Sequence, residues 1–162
     1  MTIEIGTKVP NGTLMKIGAD GPEPISVDSL LEGRKVVLFG LPGAFTGTCT
    51  SAHLPSFMRT AQAFRNKGVD EIVCVAVNDP FVMDAWDKST NASDSGITML
   101  TDPTGELVKA MDLGFSVPEI GFLDRSRRFS ALVENGELKV LNVEESPGVC
   151  ELSAGETLLH AV

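Results

Sequence analysis

The stretch KVVLFGLPGAFTGTC, from Lys35 to Cys49, decides the fold class of this chain. Its first seven residues form a largely apolar run, as in strands that are covered on both faces. A turn with glycine and proline follows, and a helical pattern then extends from Cys49 to about Lys67. Cys49 is therefore predicted to lie where a buried strand meets the N-terminus of a helix.

The same alternation continues downstream. Apolar runs at 72–77 and 97–100 are followed by helical patterns at 80–89 and 103–111. Such alternation predicts βαβ units around a central, mainly parallel sheet.

The pattern changes after residue 126. Two apolar runs, 128–133 and 138–143, flank Asn135-Gly136, which predicts an antiparallel hairpin. Ser153, with Glu156 three residues later, fits a capping box at the start of a final helix.

At the other end of the chain, 13–17 and 24–27 are predicted as edge strands, and Ser26 as the cap of a short helix over 27–31. The order of elements predicts a thioredoxin-like α/β fold with flanking helices and a C-terminal antiparallel hairpin. The length of 162 residues predicts a single domain over 1–162.

Composition excludes several classes of function. Thirteen Lys and Arg residues face 22 Asp and Glu, for a formal charge of -9, so we expect neither a nucleic-acid partner nor a membrane partner. No apolar stretch is long enough for a membrane span. Residues 1–10 lack the basic start and apolar centre of a signal peptide, so we expect a cytoplasmic protein.

The three cysteines and two histidines match no zinc-binding spacing, so we expect no metal and no cofactor. Gly40, Gly43 and Gly47 lie between strand and helix, but no lysine follows them as a phosphate-binding loop requires. Thr46 stands where a Cys-x-x-Cys motif would have its first cysteine, which excludes that type of disulfide exchange.

Chemistry at Cys49 requires a cation. A free cysteine has a pKa of about 8.5 and is mostly thiol at neutral pH. A helix N-terminus contributes typically about 0.3–1 kcal/mol toward the charged form, too little to make most of the population reactive. The candidate cations are the arginines of the cluster 125–128. Strand alternation points Arg127 and Arg128 to opposite faces, so at most one of them easily reaches inward.

Four separated segments carry a resemblance to a known family. They are Pro42-x-x-x-Thr46-x-x-Cys49, the segment 77–82 (VNDPFV), the segment 127–130 (RRFS) and the segment 141–144 (LNVE). In this order they resemble the peroxiredoxins, specifically the type II or Prx5 branch. The resemblance implies a thiol-dependent peroxidase that reduces hydrogen peroxide and organic hydroperoxides.

Carried over by position, the resemblance implies that Cys49 attacks the hydroperoxide and becomes a sulfenic acid. Thr46 would hold the peroxide oxygen, and Arg128 would stabilise the thiolate and the leaving oxygen. Pro42 would shield the sulfur from water. Gly47 departs from the pattern, because relatives commonly carry proline there.

The route by which Cys49 is reset remains open at this point. Cys150, in a turn-rich loop, matches the resolving position of the animal-type subgroup. Cys74 resembles the resolving position of the plant-type subgroup, but it lies in an apolar strand, so Cys150 is favoured. External thiols, either glutathione with glutaredoxin or thioredoxin, are the competing route. The family also implies a homodimer formed around the loops of Phe45 and Phe81.

Two other readings of Cys49 stand beside the peroxidase. A Cys/His hydrolase would use His53, four residues on, although that histidine is expected to be a partly exposed helical residue. A non-catalytic, thiol-bearing binding or chaperone module is the alternative that needs no activated sulfur.

Overall fold

The fold is that of a computed structural model, which describes residues 2–162. The strands are β1 (Thr13–Gly18), β2 (Gly21–Ser26), β3 (Lys35–Leu41), β4 (Glu71–Ala76), β5 (Ile97–Thr101), β6 (Gly114–Val117), β7 (Phe122–Ser126), β8 (Phe129–Glu134) and β9 (Glu137–Val143). The α-helices are α1 (Val27–Leu31), α2 (Leu54–Asn66), α3 (Pro80–Thr90), α4 (Glu106–Ala110) and α5 (Gly155–Leu159). A π-helical turn, Cys49–His53, precedes α2.

The main sheet has the strand order β2-β1-β5-β4-β3-β8-β9. The strands β3, β4 and β5 are parallel, because α2 and α3 connect them as crossovers. The remaining four pairings are antiparallel. The thioredoxin-like α/β class is thus confirmed, but the prediction of a mainly parallel sheet is wrong. Hairpins on both sides of the parallel centre add antiparallel strands, and the sequence does not reveal where those hairpins attach.

The two faces of the sheet are covered by different helices. In β3, Val37 and Phe39 belong to a core cluster with residues of α2, α3 and α5. Val36 and Leu38 belong to a second cluster with residues of α1 and α4. Since successive side chains of a strand point to opposite faces, one apolar run supplies both clusters. The first cluster includes Cys49, so the site lies on the α2 and α3 side.

Two local predictions are confirmed. The hydroxyl of Ser26 accepts a hydrogen bond from Ser29 N at the start of α1. Asn135 and Gly136 both have positive φ, as the tight turn between β8 and β9 requires. The small second sheet of β6 and β7 carries no such local signal and is absent from the sequence-based prediction.

The predicted capping box at the last helix is wrong. Ala154 is the N-cap residue of α5 and makes no side-chain cap bond. The Ser153 hydroxyl donates to Glu144, and Glu156 forms an ion pair with Arg59 at 2.7 Å. Ser153 therefore binds a residue that lies 9 positions earlier, and Glu156 binds one that lies 97 positions earlier, instead of each other's backbone.

Candidate active site

Cys49 is the first residue of the π-helical turn and is fully buried. The turn is closed by Leu54 N, which donates to the carbonyl of Cys49 five residues earlier. Such turns are rare and frequently occur at functional sites. The helical pattern predicted from Cys49 is therefore present, but its first turn is wider than an α-helical turn.

Arg128 is the arginine that reaches Cys49. Its Nη2 lies 3.3 Å from the sulfur, and the side chain is 2% exposed. The adjacent Arg127 donates instead to the carbonyl of Glu144 at 3.2 Å, and Arg125 donates to the carbonyl of Pro42 at 2.9 Å. The expectation that only one of Arg127 and Arg128 reaches inward is thus met.

Pro42 and Thr46 lie at the mouth of the same site. Pro42 is buried, and the Thr46 hydroxyl donates to the carbonyl of Gly43 at 2.7 Å. That hydroxyl does not cap the helix, but its lone pairs remain available as acceptors. With Arg128, both residues line a cavity of about 270 Å³, whose other walls are Gly47, Thr48, Phe122, Pro147 and Gly148.

His53 is more deeply placed than the sequence suggests. The expectation of a partly exposed residue is wrong, because the imidazole is fully buried. Its Nδ1 lies 3.1 Å from Arg128 Nη1, and its Nε2 lies 3.1 Å from the carbonyl of Ser153. Burial and the charge of Arg128 lower the pKa of His53 to about 3. Both ring nitrogens are thus engaged, by Arg128 and Ser153, and a pKa near 3 makes the ring too weak a base to activate a thiol as a Cys/His hydrolase requires.

Glu144, like His53, has a structural position at the site that the sequence does not predict. Its buried carboxylate accepts hydrogen bonds from the backbone N–H groups of Glu151, Leu152 and Ser153, and from the Ser153 hydroxyl. Burial alone would raise the pKa of Glu144, but these hydrogen bonds outweigh it and hold the pKa below its usual value. The carboxylate therefore anchors the segment that follows the last strand.

The segment from Glu144 to Ser153, here called the closing segment, covers one side of the site. The carbonyl of Pro147 accepts a 2.8 Å hydrogen bond from Arg128 Nη2, and the carbonyl of Gly148 accepts one of 3.1 Å from the Thr48 hydroxyl. The closing segment is thereby tied both to the arginine and to the helix start that carries Cys49.

Comparisons with known proteins give the family of this chain. Residues 4–159 match the family model described as Redoxin. The chain is 41% identical over 161 residues to Peroxiredoxin-2C of Arabidopsis thaliana, covering 99% of this chain and 98% of the relative. The chain belongs to the peroxiredoxin family. Membership of this family identifies the protein as an enzyme, a thiol-dependent peroxidase, and not as a non-catalytic binding or chaperone module.

Solved structures place this peroxiredoxin in the type II branch. The reduced Prx3 of Vibrio vulnificus in complex with hydrogen peroxide is 42% identical, with a TM-score of 0.92 and coverage of 99% of both chains. Peroxiredoxin 5 of Alvinella pompejana is 28% identical, with a TM-score of 0.84 and coverage of 98% of this chain and 97% of that one. The type II resemblance is confirmed.

All three thiols of this peroxiredoxin are free. Cys74 is buried in β4, in register with Phe39 of β3, and burial raises the pKa of the Cys74 thiol well above its usual value. Cys150 is half-buried in the closing segment. Burial raises the pKa of Cys150 as well, while the charge of Arg128 opposes that effect.

Within residues 2–162, no group of three or more His, Cys, Asp or Glu side chains is arranged to hold a metal ion. None of the helices in the same range is long and apolar enough to cross a bilayer.

Proposed function

We propose that Cys49 is the residue at which this peroxiredoxin reduces its hydroperoxide substrate. The thiolate attacks the terminal oxygen of R–O–OH, the O–O bond breaks, and the leaving oxygen takes a proton to give R–OH. Cys49 is left as a sulfenic acid, oxidised by two electrons. The observation that carries this proposal is the guanidinium of Arg128 beside the buried sulfur.

The electrostatic surroundings of Arg128 support this assignment. A buried cation is normally paired with an anion. In the part of the chain that the structure describes, no carboxylate forms an ion pair with Arg128. The sulfur of Cys49 lies 3.3 Å from Arg128 Nη2, so the guanidinium is placed to stabilise a thiolate there. A positive charge at this point also stabilises the negative charge that develops on the leaving oxygen.

An unpaired N–H donor of Arg128 is consistent with the same reaction. Arg128 Nε is buried and has no hydrogen-bond partner within residues 2–162. An unpaired buried donor costs free energy unless a ligand completes it. We assign this donor to an oxygen of the bound hydroperoxide, with the Thr46 hydroxyl accepting the hydroperoxide proton and Pro42 limiting the access of water.

We favour Cys150 as the thiol that resolves the sulfenic acid. The reaction Cys49–SOH + Cys150–SH gives a disulfide and water, so atoms and electrons balance. The closing segment already contacts the start of the Cys49 helix through Thr48 and Gly148. Burial raises the pKa of both thiols, and raises it further in fully buried Cys74 than in half-buried Cys150, which makes Cys74 the poorer nucleophile. Glutathione with glutaredoxin, or thioredoxin, is the proposed external reductant.

Peroxide consumption tests the peroxidase assignment. With a thiol reductant, the wild-type protein is expected to consume hydrogen peroxide and an organic hydroperoxide, whereas Cys49→Ser is expected to consume neither. Cys74→Ser serves as a matched control, since it removes a thiol of equal burial. Turnover that survives in Cys49→Ser would refute the role of Cys49.

Intact mass tests the resetting route. After one equivalent of peroxide and no added thiol, wild type is expected to lose two hydrogens, which marks an internal disulfide. Cys150→Ser is expected to gain one oxygen instead. A stable sulfenic acid in wild type would refute Cys150, and the disulfide persisting in Cys150→Ser but not in Cys74→Ser would assign resolution to Cys74. Comparing turnover with thioredoxin and with glutathione plus glutaredoxin identifies the reductant.

We also propose a homodimer in the cytoplasm. Phe45, in the loop after β3, and Phe81, in the first turn of α3, are 55% and 64% exposed, and burial of such rings in an interface is favourable. Light scattering of the reduced protein at micromolar concentration is expected to give twice the chain mass, and Phe81→Asp is expected to give a monomer. Fractionation of cells that express the protein tests its location.

A further inference from the structure

The buried position of the His53 ring is not explained by the reaction proposed above. His53 is the last residue of the π-helical turn that begins at Cys49, and its ring is packed edge-on against two aromatic rings. The ring centroids of Phe39 and Phe57 lie 5.2 and 5.6 Å from that of the imidazole. The ring is therefore held in one orientation by packing before any hydrogen bond is considered.

The hydrogen bonds of His53 define a single tautomer. The carbonyl of Ser153 can only accept, so the Nε2 atom facing it must carry the hydrogen. The guanidinium of Arg128 can only donate, so the Nδ1 atom facing it must present a lone pair. Only the neutral ring with hydrogen on Nε2 satisfies both neighbours.

We infer that His53 is a positioning residue of the peroxidase reaction, which holds Arg128 against Cys49 through the lone pair of Nδ1. The inference rests on the proposed roles of Cys49 and Arg128. The bond from Nη1 to His53 fixes one branch of the planar guanidinium, and the other branch, Nη2, then lies against the sulfur at 3.3 Å. Because the fork is rigid, fixing Nη1 also fixes the direction of the spare Nε donor.

The neutral state of the ring is part of this function. A protonated imidazole would present N–H to the guanidinium and repel it. Burial and the charge of Arg128 keep the pKa of His53 near 3, so the ring keeps its Nδ1 lone pair at neutral pH.

Nε2 of His53, like Nδ1, has a hydrogen-bond partner at 3.1 Å, and that partner is itself held in place. Ser153 donates to Glu144 through both its backbone N–H and its hydroxyl, so the carbonyl that receives Nε2–H belongs to a fixed segment. A continuous series of contacts thus runs from Glu144 through Ser153, His53 and Arg128 to Cys49.

Two substitutions of His53 test the contributions of Nδ1 and Nε2 separately. The amide oxygen of His53→Asn lies near the place of Nδ1 and retains an acceptor for Arg128, but it cannot reach Ser153. The amide of His53→Gln extends toward the place of Nε2 and retains a donor for Ser153, but it leaves Arg128 without its acceptor. Both variants remove the same ring from the same aromatic environment, so each controls for the lost packing of the other.

The rate of Cys49 oxidation by hydrogen peroxide is the first readout, and thiolate absorbance against pH is the second. His53→Gln is expected to react about tenfold to a hundredfold more slowly, with its thiolate forming at higher pH. His53→Asn is expected to stay within about threefold of wild type. The other histidine, His160, is exposed, and the control variant His160→Gln is expected to change neither the oxidation rate nor the thiolate absorbance.

Equal rates in the two variants, whether both slow or both unchanged, would overturn the inference, since a merely structural ring has no preference between its nitrogens. If either variant fails to fold, ring ¹⁵N NMR of the wild-type protein decides. The expected spectrum has hydrogen on Nε2 and a bare Nδ1, while hydrogen on Nδ1 would overturn the inference. An inactive wild-type protein would instead refute the proposed peroxidase site, so the two failures are distinguishable.

Discussion

Arg128 donates a 3.3 Å hydrogen bond to the sulfur of Cys49, across 79 positions of sequence. The same guanidinium contacts His53 and the carbonyl of Pro147. One side chain therefore joins Cys49, which we propose as the nucleophile, to the buried histidine and the closing segment. In this proposal the reactivity of Cys49 depends on contacts made well beyond its own helix.

Arg128→Lys is expected to lower kcat/KM for hydrogen peroxide by about 10²-fold, although the charge is retained. An ammonium group lacks the planar fork and cannot serve the sulfur, His53 and Pro147 together. Stopped-flow kinetics measure the effect, and a folded thermal transition excludes unfolding as its cause. Arg127→Lys, one residue away and directed elsewhere, is the matched control. A rate for Arg128→Lys within about threefold of wild type would argue against the fork as the important feature.

The stability of the protein is expected to fall as the pH drops below the ordinary pKa of histidine. Between 6.5 and about 3 the unfolded His53 is protonated and the folded one is not. Unfolding then takes up a proton, so the free energy of unfolding decreases with falling pH by up to about 1.4 kcal/mol per pH unit.

Urea denaturation between about pH 7.5 and pH 5 measures this dependence, in a range above the usual pKa of carboxyl groups. His53→Asn is expected to flatten the slope, because no buried imidazole remains. The exposed His160 is the matched control, and His160→Gln is expected to keep the wild-type slope. An unchanged slope in His53→Asn would contradict the assignment.

Glu144→Gln is expected to loosen the closing segment. The carboxylate accepts bonds from residues 151–153, and an amide group retains only one accepting oxygen. The loss is expected to be about 1–3 kcal/mol of local stability. Hydrogen exchange of residues 151–153 measures it, with exchange expected to become about tenfold faster or more.

The exposed neighbour provides the control for this change, since Glu145→Gln removes the same charge without those bonds. If Cys150 resolves Cys49, the Glu144→Gln variant is also expected to form its disulfide faster, because the segment is freer to move. Exchange rates that rise equally in both variants would assign the effect to charge alone.

Gly155→Ala is expected to destabilise the protein by about 1–3 kcal/mol. A Cβ at this position would lie 2.5 Å from the carbonyl oxygen of Ser56 and 2.5 Å from the Thr60 hydroxyl, where α5 rests on α2. Thermal denaturation measures the loss. Gly12→Ala, whose added Cβ would meet its nearest atom at 4.0 Å, is the control and is expected to change stability by less than about 0.5 kcal/mol. Equal midpoints for the two variants would contradict the close approach.

The sequence by itself determined the parts of the protein whose signals are local. The apolar run of β3 and the helical pattern after Cys49 fixed the strand-to-helix junction, because burial on both faces and helical periodicity are properties of neighbouring residues. The peroxiredoxin-like segments favoured Arg128 as the inward arginine. Strand alternation led to a compatible result for the wrong reason, because Arg127 and Arg128 lie in the connection between β7 and β8. Ser26 and Asn135-Gly136 were likewise predictable from local hydrogen bonding and backbone preference.

Only the tertiary structure decided which distant groups meet. The sheet became mixed because hairpins attach on both sides of its parallel centre, a matter of pairing between remote strands. Ser153 gave up its predicted capping role because Glu144 offers its hydroxyl a stronger, charged acceptor. His53 was expected near the surface, yet the fold buries it between Arg128 and Ser153, since its environment comes from strands and loops that no local pattern connects to it.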